Sequence, residues 1–395
     1  MSSFDPHSVD LDTASQTDII CYINASSNEY NGHLGARISA IFVILIVSTC
    51  GTFFPVLATR SRRLHIPLYV YLFARYFGAG VIIATAFVHL LDPAYSEIGP
   101  NTCVGLTGGW AVYSWPPAIV LTSVMLVFLM DFAAEFYVEG KYNLPPGGQI
   151  ENAVTRQAGG AEAVTGSSHE NHQYLHSADQ GDQQPAQKVL AQQAPGHVLD
   201  PPIDGSKDTD DGNSLKLAEL AHLSGDSTST ELAFRQQIAA FLILEFGVVF
   251  HSVIIGLNLG VVGDEFSTLY PVLVFHQTFE GLGIGARLSV IPFPSRLQWM
   301  PWALCLAYGL TTPISIAIGL GLRYSYNGSS YTANVVSGLL DSISAGILIY
   351  TGLVEMLARD FLYNPSRTRD RKRILFMLVS LYLGAGIMAL LGKWA

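Results

Sequence analysis

The sequence predicts an all-α polytopic membrane protein with eight transmembrane helices, and three observations support this fold class. Half of the 395 residues are hydrophobic and only 13% are charged, whereas about one quarter of a soluble domain is charged. The mean hydropathy of the chain is +0.35. Apolar windows of about 20 residues, the length that crosses a bilayer core, recur eight times.

The eight windows are numbered here as spans one to eight. They cover residues 37–59, 69–91, 117–137, 238–262, 267–288, 300–322, 333–357 and 374–392. The predicted domain order is an extracellular N-terminal tail (1–36), spans one to three (37–137), a cytoplasmic loop (138–232), spans four and five (238–288), and spans six to eight (300–395).

Basic residues predict the orientation, because short cytoplasmic loops are enriched in Lys and Arg. With the N-terminus outside, only Arg37, Arg323 and Lys393 of the 21 Lys and Arg residues lie on the outer side. We therefore expect a multi-pass plasma-membrane protein with both termini extracellular. This orientation also places the glycosylation sequons at Asn24 and Asn327 outside.

The loop 138–232 is rich in Gln, Gly, Ser, Asp and Pro, so it is predicted to be a disordered cytoplasmic linker. Within it, His169, His172 and His176 lie in the sequence HENHQYLH. Two interpretations stay open: the histidines reflect composition alone, or they form a weak tract that captures metal ions.

Charge and cysteine content exclude some function classes. A formal net charge of −10 leaves no basic face for nucleic acid. The four cysteines form no CxxC pair, which argues against a thiolate cluster. Cys21 and Cys103 share the outer side, where a disulfide or two free thiols are both open, and Cys50 and Cys305 are expected to be buried in spans.

The most informative stretch is 245–287, where two apolar spans carry ionisable residues near their middles. His251 lies in span four and His276 in span five, and Glu280 follows His276 by four residues, on the same helical face. Ionisable groups at such depth are costly and usually mark an ion or substrate path. Imidazole and carboxylate groups together suit a divalent transition metal.

The connection between spans four and five allows the two depths to be compared. If span four ends near Val262 and span five begins at an N-cap Ser267, His251 and His276 lie roughly 16 and 14 Å from the outer edge. The two rings are therefore expected to meet near the membrane midplane. The alternative is ordinary helix packing, in which the histidines only hydrogen-bond across the interface.

Small residues recur every four positions in both spans, at Ser252, Gly256 and Gly260 in span four and at Gly281 and Gly285 in span five. This spacing lets helix backbones approach closely in lipid.

Further polar residues are candidates for the approaches to this site. Asn258, on the face of His251, and His89 with Asp92, at the outer end of span two, are candidates for an outer approach. Glu245 and Glu355 are candidates for an inner exit.

Four other acidic residues have weaker assignments. Asp131 and Glu135 are also candidates for the inner exit, but Asp131, Glu135 and Asp360 are better interpreted as boundary residues that touch water. Asp341 lies inside span seven and is harder to dismiss.

Five segments of the chain resemble one known family. These segments are GAGVIIATAFVHLL in span two, HSVIIGLNLG in span four, HQTFEGLGIG in span five, AYGLTTPISIAIGLG in span six and SAGILIYTGLVEML in span seven. They look like the helices of the ZIP (Zrt/Irt-like) divalent metal transporters, and they are most similar to the fungal and plant zinc and iron uptake branch.

The resemblance implies a 3+2+3 bundle in which spans one to three and six to eight are related by inverted symmetry around spans four and five. It also implies transport of metal into the cytoplasm. Carried over by position, His251, His276 and Glu280 match the family's primary metal ligands, and Ser252 and Gln277 match flanking second-site positions.

The sequence departs from family members that bind two metals. Ile255 stands where some have glutamate, Gln277 where they have aspartate, and Thr312 where they have glutamate. We therefore expect one main site, completed by water or by Ser252.

The leading hypothesis is a transporter, not an enzyme, that moves Zn²⁺ from outside into the cytoplasm, with Fe²⁺ or another divalent metal open. Its expected partners are the metal ion and the lipid bilayer, and a homodimer is the candidate assembly. The alternatives are a membrane-embedded metal hydrolase, against which the absence of HExxH argues, and a metal-sensing receptor that signals through the loop.

Overall fold

A computed structural model describes residues 15–24, 30–60, 67–142, 211–325, 327–363 and 368–394. Every regular element within those ranges is helical. One compact unit comprises Met1–Tyr142 and Gly225–Ala395. The other, Asn143–Ser224, is described only over its last, helical residues, 211–224.

The described helices match the eight predicted spans. Span one is Leu34–Arg60, span two Leu68–Ala84 continued by Thr85–Leu91 and Asp92–Ile98, span three Trp115–Tyr142, span four the end of Asp211–Val261, span five Phe266–Val290, span six Met300–Gly321, span seven Tyr331–Tyr350 continued by Thr351–Tyr363, and span eight Arg371–Leu391. A short helix, Gln16–Asn24, precedes them.

By length and hydropathy alone, seven helices of the described ranges qualify as membrane spans. The helix that does not qualify is span five, because His276, Gln277 and Glu280 lower its mean hydropathy. Its 25 residues are nevertheless long enough to cross a bilayer core. Span five packs against spans one and two, so those three polar side chains are buried in protein.

The helix pairs show the expected inverted repeat. Span five packs on spans one and two, and span four packs in the same way on spans six and seven. Span two packs on span eight, and span seven packs on span three. If spans one, two and three are exchanged with spans six, seven and eight, and span four is exchanged with span five, each of these pairs is reproduced.

A local sequence repeat supports the same symmetry. Aligning Gly80 of span two with Gly346 of span seven brings His89 onto Glu355. Both spans change from α-helix to π-helix at the aligned positions, Thr85 and Thr351. Such π-helical turns are frequent at functional sites.

Glycines set the closest approaches between these helices. Gly78 of span two lies against the backbone of Gly283 of span five, where no side chain fits between them. Gly256 of span four packs against Thr312 and Ser315 of span six. The predicted glycine rows therefore do allow close packing.

The two glycine rows do not face each other. The row of span four faces span six, where Gly260 lies against Gly319. The row of span five faces span one, where Gly285 lies against Thr52.

The predicted boundaries differ from the structure in two places. Span five begins at Phe266 with Glu265 as N-cap, so the predicted N-cap at Ser267 is wrong by two residues. Helix also continues into both ends of the predicted loop 138–232, to Tyr142 and from Asp211. Helix-favouring Leu, Ala, Lys and Glu residues in LKLAELAHL explain the second difference.

Two of the four cysteines are paired in a disulfide, and the other two are free. Cys21 and Cys103 form a disulfide that joins the short N-terminal helix to the segment after span two. Cys305 is buried as predicted, whereas Cys50 is exposed on the helix surface. The prediction that Cys50 is buried is wrong, because a residue within a span can still face away from the other helices.

Arg37 anchors the outer end of span one. Its side chain is fully buried although the sequence places it at the outer boundary. The guanidinium donates hydrogen bonds to the carbonyl oxygens of Gly32, Leu259 and Val262. Because two of these carbonyls belong to the last turn of span four and the residue after it, Arg37 fixes span one to that end.

We predict that Gly384→Ala destabilises the bundle, because the added methyl group would overlap the backbone of Phe77 in span two. The expected loss is about 1–3 kcal/mol, as for other overpacked cores. Thermal unfolding of purified protein in detergent measures it. Gly386→Ala on the same helix is the control, since its methyl group meets nothing within 4 Å. Equal melting temperatures for the two variants would contradict the packing described here.

Candidate metal centre

Three side chains converge between spans four and five. The Nε2 atoms of His251 and His276 lie 3.4 Å apart, and Nε2 of His276 lies 3.8 Å from Oε2 of Glu280. The three residues are 1%, 2% and 0% exposed, respectively, so bulk water has little access to them. In the described part of the chain, this is the one group of three or more His, Cys, Asp and Glu residues found with ligand atoms within 4.8 Å of one another.

Matched depth brings the rings together. His251 lies ten residues before Val261, where its helix ends, and His276 lies ten residues after Phe266, where the next helix begins. The helices run in opposite directions through the short connection between them, so the rings reach the same level. The predicted meeting of the two histidines is confirmed.

The spacing of these atoms suits a tetrahedral metal ion. Zn²⁺ binds imidazole nitrogen at about 2.0–2.1 Å, so neighbouring ligand atoms in its shell lie about 3.3 Å apart. The separation of 3.4 Å between the imidazole nitrogens matches this value. The ligand atoms of all three residues lie within 4.8 Å of one another, so Glu280 is a candidate for a third position.

Tyr308 of span six orients the carboxylate. Its hydroxyl lies 3.1 Å from Oε2 of Glu280 and 3.2 Å from Oε1 of Gln277, so its single hydrogen is shared between these two acceptors. Such a bond limits the rotation of a ligand carboxylate. Tyr308 was not predicted from the sequence, because an aromatic residue in an apolar span has no signal that distinguishes it from core.

Several buried polar atoms around the centre have no hydrogen-bond partner in the described structure. They are Nδ1 of His251, Oγ of Ser252, Nε2 of Gln277, Oε1 of Glu280 and Oγ1 of Thr312. Unsatisfied polar atoms are costly in a dry interior, and a concentration of them is typical of a site for an ion or water.

The flanking positions contain few charged groups. Ser252 and Gln277 are fully buried, each next in sequence to one of the two histidines. Ile255 packs with Ala40 and Ile44 of span one in an apolar cluster. None of the three flanking residues, Ser252, Gln277 and Ile255, carries a carboxylate.

On the outer side, His89 reaches the centre but Asn258 does not. The ring of His89 packs edge-on against that of His276, with centroids 4.9 Å apart, while its Nε2 bonds to the carbonyl oxygen of Met388 at 3.1 Å. Asn258 shares the face of His251 but is exposed, because it lies three residues from the helix end at Val261. Asp92 is exposed as well.

On the inner side, Glu355 is held by two arginines. Arg359 contacts both of its carboxylate oxygens at 2.7 Å, and Arg287 of span five lies 3.4 Å from one of them. Asp360 accepts two hydrogen bonds from Arg75 of span two. These five side chains line a cavity of about 160 Å³ at the inner ends of spans two, five and seven.

Two acidic residues expected to touch water also have protein partners. Asp360 pairs with Arg75, and its side chain is only 15% exposed. Asp131 accepts a hydrogen bond from Tyr350 at 2.8 Å. Each is partly exposed, so the water-boundary interpretation stays a prediction, and each is also bonded across helices.

The remaining acidic and loop candidates have different outcomes. Glu245 is 7% exposed, and Asp341 is 3% exposed. Both oxygens of Glu245 and one of Asp341 have no hydrogen-bond partner in the described ranges. His169, His172 and His176 lie outside the described residues, and so does the side chain of Glu135.

We predict that Tyr308→Phe weakens binding of a divalent metal by about 10–100-fold, the usual cost of removing a group that orients a metal ligand. Equilibrium dialysis of purified protein measures this affinity. Tyr382→Phe is the control, because Tyr382 is 71% exposed. An unchanged affinity in Tyr308→Phe would show that Glu280 does not depend on this hydrogen bond.

Comparison with known proteins agrees with this architecture. The family model described as "ZIP Zinc transporter" matches residues 34–392. Zinc-regulated transporter 1 of Saccharomyces cerevisiae is 52% identical over 402 residues, covering 99% of this chain and 97% of that protein. No solved structure matches the chain.

More distant relatives match over nearly the same length. Zinc-regulated transporter 1 of Schizosaccharomyces pombe is 39% identical, covering 98% of this chain and 92% of that protein. Fe(2+) transport protein 3, chloroplastic, of Arabidopsis thaliana is 30% identical, covering 97% and 91%. With the family model matching almost the whole chain, this protein belongs to the ZIP zinc transporter family.

Proposed function

We propose that this protein carries Zn²⁺ across the plasma membrane into the cytoplasm, with His251, His276 and Glu280 as the ligands that hold the ion midway. The observation that carries the proposal is the convergence of these three buried side chains in the middle of two membrane helices. The relatives named as zinc transporters support the identity of the ion.

The ligand set fits a transported ion. Two imidazoles and one carboxylate favour zinc over iron or manganese by intrinsic affinity, although geometry and availability also decide selectivity. Because one relative is named as an Fe(2+) transport protein, Fe²⁺ is a second candidate substrate for this protein. Three protein ligands leave one tetrahedral position for water or Ser252, so the ion is held without being trapped.

One main metal ion is the stoichiometry that the flanking residues support. Ile255, Gln277 and Thr312 provide no carboxylate, so at the level of the histidines no residue besides Glu280 can bridge to a second ion. Ser252 and Gln277 instead provide neutral polar atoms, which solvate a passing cation at lower affinity.

A route through the protein follows from the polar residues on either side. His89, whose ring touches that of His276, is the outer approach. Glu245 and Glu355 are the inner exit. Because Arg287 and Arg359 pair with Glu355 in this conformation, metal release on that side requires these ion pairs to separate. We infer alternating access, in which spans four and five move against the other helices.

The orientation with both termini outside has independent support. A disulfide is stable in an oxidising compartment, and this orientation places Cys21 and Cys103 in one. The homodimer and metal capture by the loop histidines stay predictions.

The alternative functions are less well supported. The hydrolase is disfavoured because the relatives found are named as transporters. A receptor would depend on its cytoplasmic loop, so deleting residues 150–230 separates the two cases. A transporter keeps basal uptake after the deletion, whereas a receptor loses its output.

We expect metal-starved cells that express the protein to take up radioactive Zn²⁺, and excess Fe²⁺ to compete. The combined change His276→Ala and Glu280→Ala should reduce uptake to background, because two of three ligands are lost. Glu265→Ala, in the exposed outer turn, is the control at matched surface expression. Full uptake by the double variant would refute the site.

For the topology, we expect an epitope tag at the N-terminus to bind antibody on intact cells. A tag placed within residues 150–230 should bind only after permeabilisation. Labelling of the loop tag on intact cells would reverse the proposed orientation.

A further inference from the structure

Glu245 is a buried carboxylate without a partner. It lies in span four, is 7% exposed, and neither of its oxygens has a hydrogen-bond partner among the described residues. Burying an unpaired carboxylate is strongly unfavourable, so such groups are normally neutralised by a proton or a cation. Its place beside a cation route makes the transported ion the natural partner.

Glu245 and Glu280 lie on the same side of the two histidines. Glu245 precedes His251 by six residues and Glu280 follows His276 by four, on helices of opposite direction. At 1.5 Å per residue, they lie roughly 9 and 6 Å inward of the histidine level, and therefore differ in depth by about 3 Å. The two carboxylates repel each other when both are ionised, and a cation between them would relieve this repulsion.

The two carboxylate oxygens of Glu280 have different surroundings. Oε2 is occupied by His276 and Tyr308, whereas Oε1 is fully buried and has no partner in the described structure. A carboxylate with one free oxygen can bind a second ion position without leaving the first. Ser252 and Gln277 lie at the level of the histidines and provide no free carboxylate oxygen.

Cys305 of span six adds a third group near the same level. Its thiol is fully buried, and it lies near enough to Glu245 for the ionised forms of the two groups to repel each other. Cys305 precedes Tyr308 by three residues, so it lies about 4.5 Å inward of the tyrosine that bonds to Glu280. Glu245, Glu280 and Cys305 thus come from three different helices.

We propose that Glu245 and the free oxygen of Glu280 form a second, inner station for the transported divalent metal, with Cys305 beside it. The ion passes from the two histidines to this station while Glu280 stays bound. Exchanging imidazole for carboxylate ligands weakens the hold on zinc, and release toward the cytoplasm follows. The inference rests on the proposed transport function and specifies its inward step.

The test is Glu245→Gln, which keeps the shape of the side chain and removes its charge. The station predicts that the maximal rate of radioactive Zn²⁺ uptake falls by about tenfold or more while the KM for zinc changes little, because the histidine site still loads from outside. Glu245→Asp should restore part of the rate. Glu97→Gln, a half-buried glutamate of span two, is the matched control.

A second readout counts bound zinc on the purified full-length chain in lipid nanodiscs. Equilibrium dialysis should find a tight and a weaker class of Zn²⁺ in the wild type, and Glu245→Gln should lose the weaker class alone. An unchanged rate or an unchanged zinc count in this variant overturns the station. If Glu245 only holds a proton, Glu245→Gln should behave like the wild type, because glutamine mimics the protonated carboxyl group. If the wild-type protein itself moves no zinc, the transport function fails instead.

Discussion

The bundle is organised around the burial of two imidazoles and one carboxylate at a place that water does not reach. Polar groups in such surroundings are stable only when other protein groups or an ion satisfy them. Span five carries two of the three and is too polar to qualify by hydropathy as a membrane helix. Its burial against neighbouring helices therefore keeps these polar side chains away from lipid.

Glycine provides that burial, because it lets backbones touch where side chains would hold helices apart. Gly283 brings span five against span two, and Gly256 brings span four against span six. Each helix of the central pair is thus held by a different half of the inverted repeat. The site forms where the two halves meet, which is the usual place for a substrate in such a fold.

The repeat also gives the two sides of the membrane different chemistry. His89 and Glu355 occupy aligned positions in spans two and seven, each within a π-helical turn. On the predicted outer side the histidine packs edge-on against the ring of His276. On the inner side the glutamate is bonded to Arg287 and Arg359 beside a cavity. One backbone arrangement therefore supports an approach on one side and a closed ion-pair cluster on the other.

The sequence alone determined the eight spans, the family resemblance and the three residues of the candidate metal centre, because apolar length, helical spacing and depth from a short turn are local properties. The tertiary structure decided which way each helix faces and which helix it meets. Tyr308 as the partner of Glu280, the arginines on Glu355, the exposure of Cys50 and Asn258, and the isolation of Glu245 all depend on helix rotation and packing. In a span that is apolar on most sides, hydropathy does not distinguish the lipid-facing side from the buried one, so these contacts could not be predicted from the chain.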